Sequence, residues 1–322
     1  MKILVTGAGG FIGGHLVSRL VSQGLEVVAV DIKNTNDWYQ ISSDSRNIVL
    51  DMSRIENTYS CTEGIDEVYN LACDMGGMGF IENNKAKCME SVLINTHLLQ
   101  ASRENGVKKF FYSSSACVYA SFHQNTLEFE PLREADAYPA DPEDGYGWEK
   151  LFSERMCRHF QEDYGIQTRI ARYHNVYGAF GTYDGGREKV PAAACRKVIE
   201  AVKSGKYEIE IWGDGLQLRS FTYIDDCIDG TLKLMSSDYA SPLNIGSSEM
   251  ISINDLYKTI IDVNNLPYEK FKFAHNLKAP QGVRGRSSNN DECKKVLDWE
   301  PSVRISEGIK KTFDWISSEL NN

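Results

Sequence analysis

Thr6-Gly7-Ala8-Gly9-Gly10-Phe11-Ile12-Gly13 is the stretch on which the reading of this chain turns. Just before it, residues 3–5 (Ile-Leu-Val) form a short β-branched run that reads as a buried strand. Just after it, Phe11, Ile12, Leu16 and Leu20 recur at helical spacing. Gly7, Gly10 and Gly13 let the backbone turn tightly and come close to a pyrophosphate, and the helix that follows offers N–H donors at its start. Strand, glycine loop and helix in that order are the context that makes a dinucleotide site of a glycine triplet.

Working outward, further strands are expected at residues 27–30 (ending at Asp31), 48–50 (ending at Asp51), 68–71, 109–112 and 168–171. One long helix is expected over 83–105, stopped by Gly106. Most of these strands are almost continuously apolar and alternate with helices. That pattern predicts an α/β protein of Rossmann type, a doubly wound parallel sheet. Beyond residue 175 the pattern loosens. Helices are expected near 190–202, 253–263 and 305–320, and short strands near 209–212 and 271–273. The expected division is a dinucleotide-binding domain over 1–174, to which parts of roughly 215–250 return, and a smaller C-terminal α/β lobe over 175–322 that mainly binds substrate.

The chain has 322 residues, 42% hydrophobic and 25% charged, which is globular and leaves room for about two domains. Its net charge of −10 speaks against nucleic acid as a partner. No apolar run approaches the ~20 residues of a membrane helix, and the opening residues lack the pattern of a secretory signal. Eight cysteines include no Cys-x-x-Cys pair. Reduced thiols in a cytoplasmic protein, with no metal site, are the expectation.

Asp31 stands where a carboxylate bonds the adenosine ribose hydroxyls and repels a 2′-phosphate, so NAD is expected over NADP, with nearby Lys33 working against this. Asp51 is placed to meet the adenine amino group. Tyr146 and Lys150 are four residues apart, one turn on one helix face. Lys150 can lower the phenol pKa and hold the nicotinamide ribose, and Tyr146 can then take a hydroxyl proton while hydride leaves to NAD.

The glycine loop, the strand end Ser114-Ser115-Ala116-Cys117-Val118-Tyr119 and Tyr146-x-x-x-Lys150 together resemble the extended short-chain dehydrogenase/reductase family of nucleotide-sugar enzymes. Further stretches carry the resemblance along nearly the whole chain: Asp74-Met75-Gly76-Gly77-Met78-Gly79-Phe80-Ile81, Arg172-Tyr173-His174-Asn175-Val176-Tyr177-Gly178, Gly185-Gly186-Arg187-Glu188-Lys189, Trp212-Gly213-Asp214-Gly215-Leu216-Gln217 and Gly282-Val283-Arg284-Gly285-Arg286. Family dehydratases typically carry Thr-Asp-Glu where this chain has Ser115-Ala116-Cys117, and 4-epimerases typically have Thr where Cys117 stands. The resemblance therefore implies carbon-acid chemistry on a GDP-sugar. Oxidation at C4 acidifies the C3 and C5 protons. Cys117, held as a thiolate, is the implied base, and Lys189, where related synthases carry His, is the implied acid.

The resemblance also implies cofactor contacts from Gly7, Gly10, Phe11, Ile12, Gly13, Asp31, Asp51, Tyr146 and Lys150. It implies substrate contacts from Gly76, Ser115, Ala116, Cys117, Asn175, Glu188, Lys189, Lys197, Gln217, Arg219 and Arg286, with Arg284 a weaker candidate. Cations suit a diphosphate, for which Arg offers a bidentate fork. His174 reads as structural, and Tyr177, Trp148 and Trp212 as packing residues. Cys73 stands where the family has Ala. A homodimer through helices near 83–105 and 147–164 follows by analogy. The implied activity is redox-neutral epimerisation at two carbons. The alternatives are a C4 dehydrogenase or single-site epimerase on another GDP-hexose or GDP-heptose, and a redox-sensing scaffold that binds NAD without turnover.

Overall fold

A computed structural model describes residues 1–279 and 282–321. Six strands come first: β1 (Lys2–Thr6), β2 (Glu26–Asp31), β3 (Arg46–Val49), β4 (Glu67–Asn70), β5 (Lys109–Ser115) and β6 (Gln167–Tyr173). With the later strand Leu243–Ile245 they build one seven-stranded sheet in the order Leu243–Ile245, β6, β5, β4, β1, β2, β3. Every pairing in it is parallel.

Alternation along the strands explains their continuous hydrophobicity. Ile3 and Val5 pack with Leu16, Val17 and Leu20 of the helix Phe11–Ser22 and with Ile228 and Leu234 of the helix Ile224–Ser236. Leu4, Val28, Val68 and Phe110 face the other way, onto Leu98 and Leu99 of the helix Ser91–Glu104 and Cys157 of the helix Tyr146–Tyr164. Both faces are covered, so the expected doubly wound sheet is borne out.

Two expectations need correction. The helix over 83–105 is three helices, Met78–Asn83, Lys85–Met89 and Ser91–Glu104. Asn84 breaks the first from the second: its backbone leaves the helical region (φ −134°, ψ 41°) while its side-chain amide donates to Phe80 O. The third strand ends at Val49, so Asp51 lies in the following turn rather than at the strand end.

After β6 the chain builds a lobe that includes the helices Val190–Ser204, Ile253–Val263 and Ile305–Glu319 and, among the described residues, Val176–Tyr177 paired in parallel with Thr222–Tyr223 and two further small sheets. One pairs Glu208–Trp212 with Lys272–Asn276; the other sets Leu218–Ser220 between Met250–Ser252 and Gly285–Arg286. The strands expected near 209–212 and 271–273 are this first pair.

A parallel sheet gathers its strand ends along one edge. Thr6 is in register with Val30 and with Asn70. Beyond Asn70, β5 continues for three residues, paired only with β6 up to Ser115 and Tyr173. That extension carries Ser115 and the Ala116–Val118 turn past the sheet edge toward the second lobe.

Beneath it, Glu154 and Arg172 form a buried ion pair, each side chain 3% exposed or less. Removing one partner strands the other charge in the interior. Glu154→Ala is therefore expected to lower stability by about 3 kcal/mol or more, read as a shift of the urea unfolding midpoint.

Candidate active site

The glycine loop is shaped by contacts that leave no room for side chains. Gly7 adopts φ +72°, and a Cβ on it would lie 2.8 Å from the Leu71 carbonyl. A Cβ on Gly13 would lie 2.1 Å from Gly7 O. Gly10 donates its N–H to Gly7 O at 3.0 Å and forms the N-cap of the helix Phe11–Ser22, with no side chain capping it. Its first-turn N–H groups are therefore left for a ligand. Phe11 and Ile12, both half-buried, open that helix.

Asp31, buried at the end of β2, accepts the Gly9 N–H and the Lys33 N–H, each at 3.0 Å. The Lys33 amine is turned onto Gly9 O at 3.1 Å. Asp51 accepts from the Ser53 N–H and hydroxyl at 2.9 and 2.7 Å, half-buried in the turn before the helix Ile55–Thr62. A backbone cradle, an uncapped helix start and a buried carboxylate about one strand away fit NAD.

At the end of β5 the chemistry converges. Ser115 accepts the Cys117 N–H at 3.2 Å and also hydrogen-bonds Tyr146. Cys117, Tyr146 and Ile81 share one small apolar cluster, with Cys73, Met75 and Met78 against it. Gly76 is buried in the same loop. Burial pushes the Tyr146 phenol well above its usual range, with Cys73, Cys117 and Glu149 adding to this and Ser115 opposing it. Lys150 lies 5.5 Å from the Tyr146 ring centre and only 3.6 Å from Glu149 Oε2. Burial alone would lower Lys150, but Cys73 and Glu149 outweigh it, and its pKa is raised. Lys150 is thus held firmly as a cation.

Lys189, the N-cap of the helix Val190–Ser204, brings its amine to the same place. Loss of water lowers its pKa, against which the nearby Cys117 and Cys73 work. Arg286 Nη1 lies 3.5 Å from Cys117 Sγ. Arg219 is in register with Arg286 on the neighbouring strand. Burial, then Arg286 and Arg284, push Arg219 down to about 9, with Cys117 pulling the other way. Arg284 forms a two-bond ion pair with Asp214, at 3.1 and 3.0 Å. Two guanidinium groups beside a buried thiol, with Arg284 next to them, form a site for an anion.

The remaining candidates gather farther out. Asn175, in the left-handed region at φ 42°, donates to Ser220 O beside Arg219. Gln217 donates to Trp212 O, and its buried Oε1 lacks a hydrogen-bond partner among the described residues. Lys197 is bound to Glu210 O. The Glu188 carboxylate is turned to the Gly186 N–H and Arg196. Ala116 is buried behind Cys117, and His174 is buried and bonded to Asn244, its pKa lowered to about 3 by loss of water. Tyr177 is buried, whereas Trp148 and Trp212 are nearly half exposed.

Three residues at the site were not singled out from sequence as functional. Glu149 beside Lys150 was adjacent in the Tyr146-to-Lys150 motif and is the one sequence inspection had a signal for. Cys73, noted from sequence only as a departure from the family's Ala and read as lying apart from the chemistry, instead acts on Lys150, and Gln124 bonds Arg286; nothing local marks either role.

The sequence pattern of the NAD dependent epimerase/dehydratase family matches residues 3–246. The chain belongs to that family, and its cofactor is NAD. It is 44% identical, over 99% of its length and 83% of the other chain, to a GDP-mannose 3,5-epimerase of Arabidopsis thaliana. The UDP-glucose 4-epimerase of Thermotoga maritima superposes with a TM-score of 0.87 at 25% identity, covering 99% of this chain and 100% of that one. A Bacillus cereus UDP-glucuronic acid 4-epimerase, solved with UDP-glucuronic acid and NAD, superposes at 0.81 with 26% identity, covering 99% and 100%.

Asp31→Ala removes a buried charged acceptor at the ribose position. NAD affinity measured by calorimetry is expected to fall about tenfold or more, the equivalent of one charge-assisted hydrogen bond. The preference for NAD over NADP is expected to narrow at the same time.

Proposed function

We propose that the chain is a GDP-mannose 3,5-epimerase. It converts GDP-mannose to GDP-L-galactose, with GDP-L-gulose as the product of inversion at C5 alone. The observation that carries this reading is the convergence of Cys117 and Lys189 with Ser115 and Tyr146, a thiol and an amine where dehydration would need carboxylates. The 44% identity to the plant epimerase over almost the whole chain supports the substrate.

When bound, NAD would supply the acceptor for a hydride from the sugar C4 and the donor that restores it, which would leave the net reaction redox-neutral. Tyr146 takes the C4 hydroxyl proton as a phenolate, which the Lys150 cation 5.5 Å from its ring centre and the positive nicotinamide that NAD would bring both favour over the neutral form that burial alone selects, with Ser115 orienting that oxygen. The C4 ketone acidifies the neighbouring C–H bonds. The Cys117 thiolate removes a proton from one face, the electron pair passes to the ketone oxygen, and Lys189 delivers a proton to the opposite face. A proton donor must be protonated and yet give up its proton readily, and burial brings Lys189 toward that balance. Arg219 and Arg286, with Arg284, bind the diphosphate, which relieves their mutual repulsion. Gly7, Gly10, Phe11, Ile12, Gly13, Asp31 and Asp51 hold NAD, residues 1–174 serving as its domain and 175–322 mainly as the sugar-nucleotide lobe.

We also assign a homodimer and a cytoplasmic location. The helices Lys85–Met89, Ser91–Glu104 and Tyr146–Tyr164 present Met89, Leu93, Trp148 and Phe152 to solvent, an apolar set suited to a second copy. A base that works as a thiolate suits a reducing compartment. Light scattering at twice the monomer mass is the expected result.

Incubation with GDP-mannose in D₂O tests the activity. The proton signals at C3 and C5 are expected to fade with no net NADH. Exchange at C5 alone would point to a single-site epimerase, and no exchange in NAD-loaded protein would overturn the reading. Cys117→Ala and Lys189→Met are each expected to lower kcat at least a hundredfold, the usual scale of a lost acid or base. Because Lys189 acts protonated and its pKa is lowered, kcat is expected to fall as pH rises through a value below 10.5. Lys189→Arg, which stays charged, is expected to shift that fall to higher pH.

A further inference from the structure

Cys117 is not the end of its hydrogen-bond chain. Arg286 reaches its sulfur with Nη1 at 3.5 Å and places Nε 2.6 Å from Gln124 Oε1. Arg286 is 8% exposed and Gln124 1%. The Gln124 amide has one possible orientation: its Nε2 donates to Tyr119 O and Ala120 O, each at 3.2 Å. Turned over, it would set oxygen against two carbonyls and leave Arg286 facing an N–H. The backbone of Gln124 is tied down too, its carbonyl accepting the N–H groups of Arg284 and Gly285 at 2.8 and 3.2 Å. At Gly285 a Cβ would lie 2.0 Å from the Phe129 ring, so this strand cannot shift outward.

A guanidinium is planar and stays charged, so fixing Nε fixes where Nη1 points. The two groups it bonds here are a neutral amide oxygen and the sulfur of the base. A buried cation held against a thiol favours the thiolate. We infer that Gln124 is a positioning residue for the reaction, and that it aims Arg286 at Cys117 so that this guanidinium holds the base as a thiolate, apart from any part Arg286 plays toward the diphosphate. The inference rests on Cys117 being the base. The other titratable groups around the sulfur are Lys189, Arg219, Tyr146, Cys73 and Cys88, and Glu143 feels the Arg286 charge.

The test reads the thiolate without turnover. NAD-loaded protein is alkylated with iodoacetamide at pH 7 and at pH 10, and modification of the Cys117 peptide is followed by mass spectrometry. At pH 7, Arg286→Gln is expected to slow alkylation about tenfold and Gln124→Met about threefold, since each weakens the charge-assisted N–H···S contact that holds the reactive thiolate. Arg286→Lys is expected to recover part of the lost rate. At pH 10 the rates are expected to come within about twofold of one another, because alkali favours the thiolate with or without a neighbouring cation. Wild-type rates in Arg286→Gln at pH 7 overturn the inference. So does slowing that persists at pH 10, which reports altered access. Should Arg286→Gln lose its NAD and unfold, Gln124→Met decides alone, and an unchanged rate there overturns the positioning role. If alkylation behaves as expected while the sugar protons do not exchange, the proposed activity falls and the Gln124–Arg286–Cys117 chain stands.

Discussion

The carboxylate of Glu154 ties together the three elements that carry the chemistry. Its Oε1 accepts from the Ser114 hydroxyl at 2.5 Å and from Arg172 Nε at 2.9 Å, and its Oε2 accepts from Arg172 Nη2 at 2.7 Å. Ser114 belongs to β5, Arg172 to β6, and Glu154 to the helix Tyr146–Tyr164. Arg172 also donates to Glu134 O at 2.7 Å and lies over the Tyr119 ring. Ser115 and Cys117 follow Ser114 directly. Tyr146 and Lys150 precede Glu154 by eight and four residues, so all three share one helix face. A bidentate buried pair admits a single relative placement of its partners, where an apolar contact would tolerate sliding. The spacing between the tyrosine on the helix and the thiol on the strand end is set by this contact.

The second half of the site is joined to the first by two glycine-rich loops that dock on each other. The Gly77 N–H donates to Arg187 O at 3.1 Å, and a Cβ on Gly77 would lie 2.6 Å from Glu188 O. Arg187 stacks over the Phe80 ring at 3.9 Å and reaches Asp74 at 3.1 Å. Lys189 follows two residues later. Close backbone approach at Gly77 is therefore what delivers the lysine to the sulfur, and it explains why a Met-Gly-Gly-Met-Gly stretch and a Gly-Gly-Arg-Glu-Lys stretch occur in the same chain.

Charge is distributed with the same economy of space. The chain carries a net −10, yet Lys189, Arg219 and Arg286 converge on one thiol, with Arg284 beside Arg219. Asp214 answers Arg284, and Glu149 with Cys73 answers Lys150. Arg286 bonds a neutral amide and a thiol, and Arg219 is pushed down to about 9, by burial first and by its fellow cations next. An acidic surface around a cationic cleft suits a protein that takes a small dianion rather than a polyanion.

The sequence by itself determined the doubly wound sheet, because strands covered on both faces must be apolar throughout and β-branched runs between helical repeats have few other solutions. It determined the glycine loop and the Tyr146–Lys150 pair, whose spacing is local. It overran the helix after β4, since Asn84 reads as one more polar helix residue until its side chain is seen to take the Phe80 carbonyl. Only the tertiary structure decided that Lys150 is shared between Glu149, Cys73 and the Tyr146 ring, and that Arg286 spans Gln124 and Cys117 across 162 and 169 residues of chain. Periodicity and motif report on residues a turn or a strand apart. Which charge faces which sulfur depends on how lobes distant in sequence pack, and that is settled by burial and hydrogen-bond geometry.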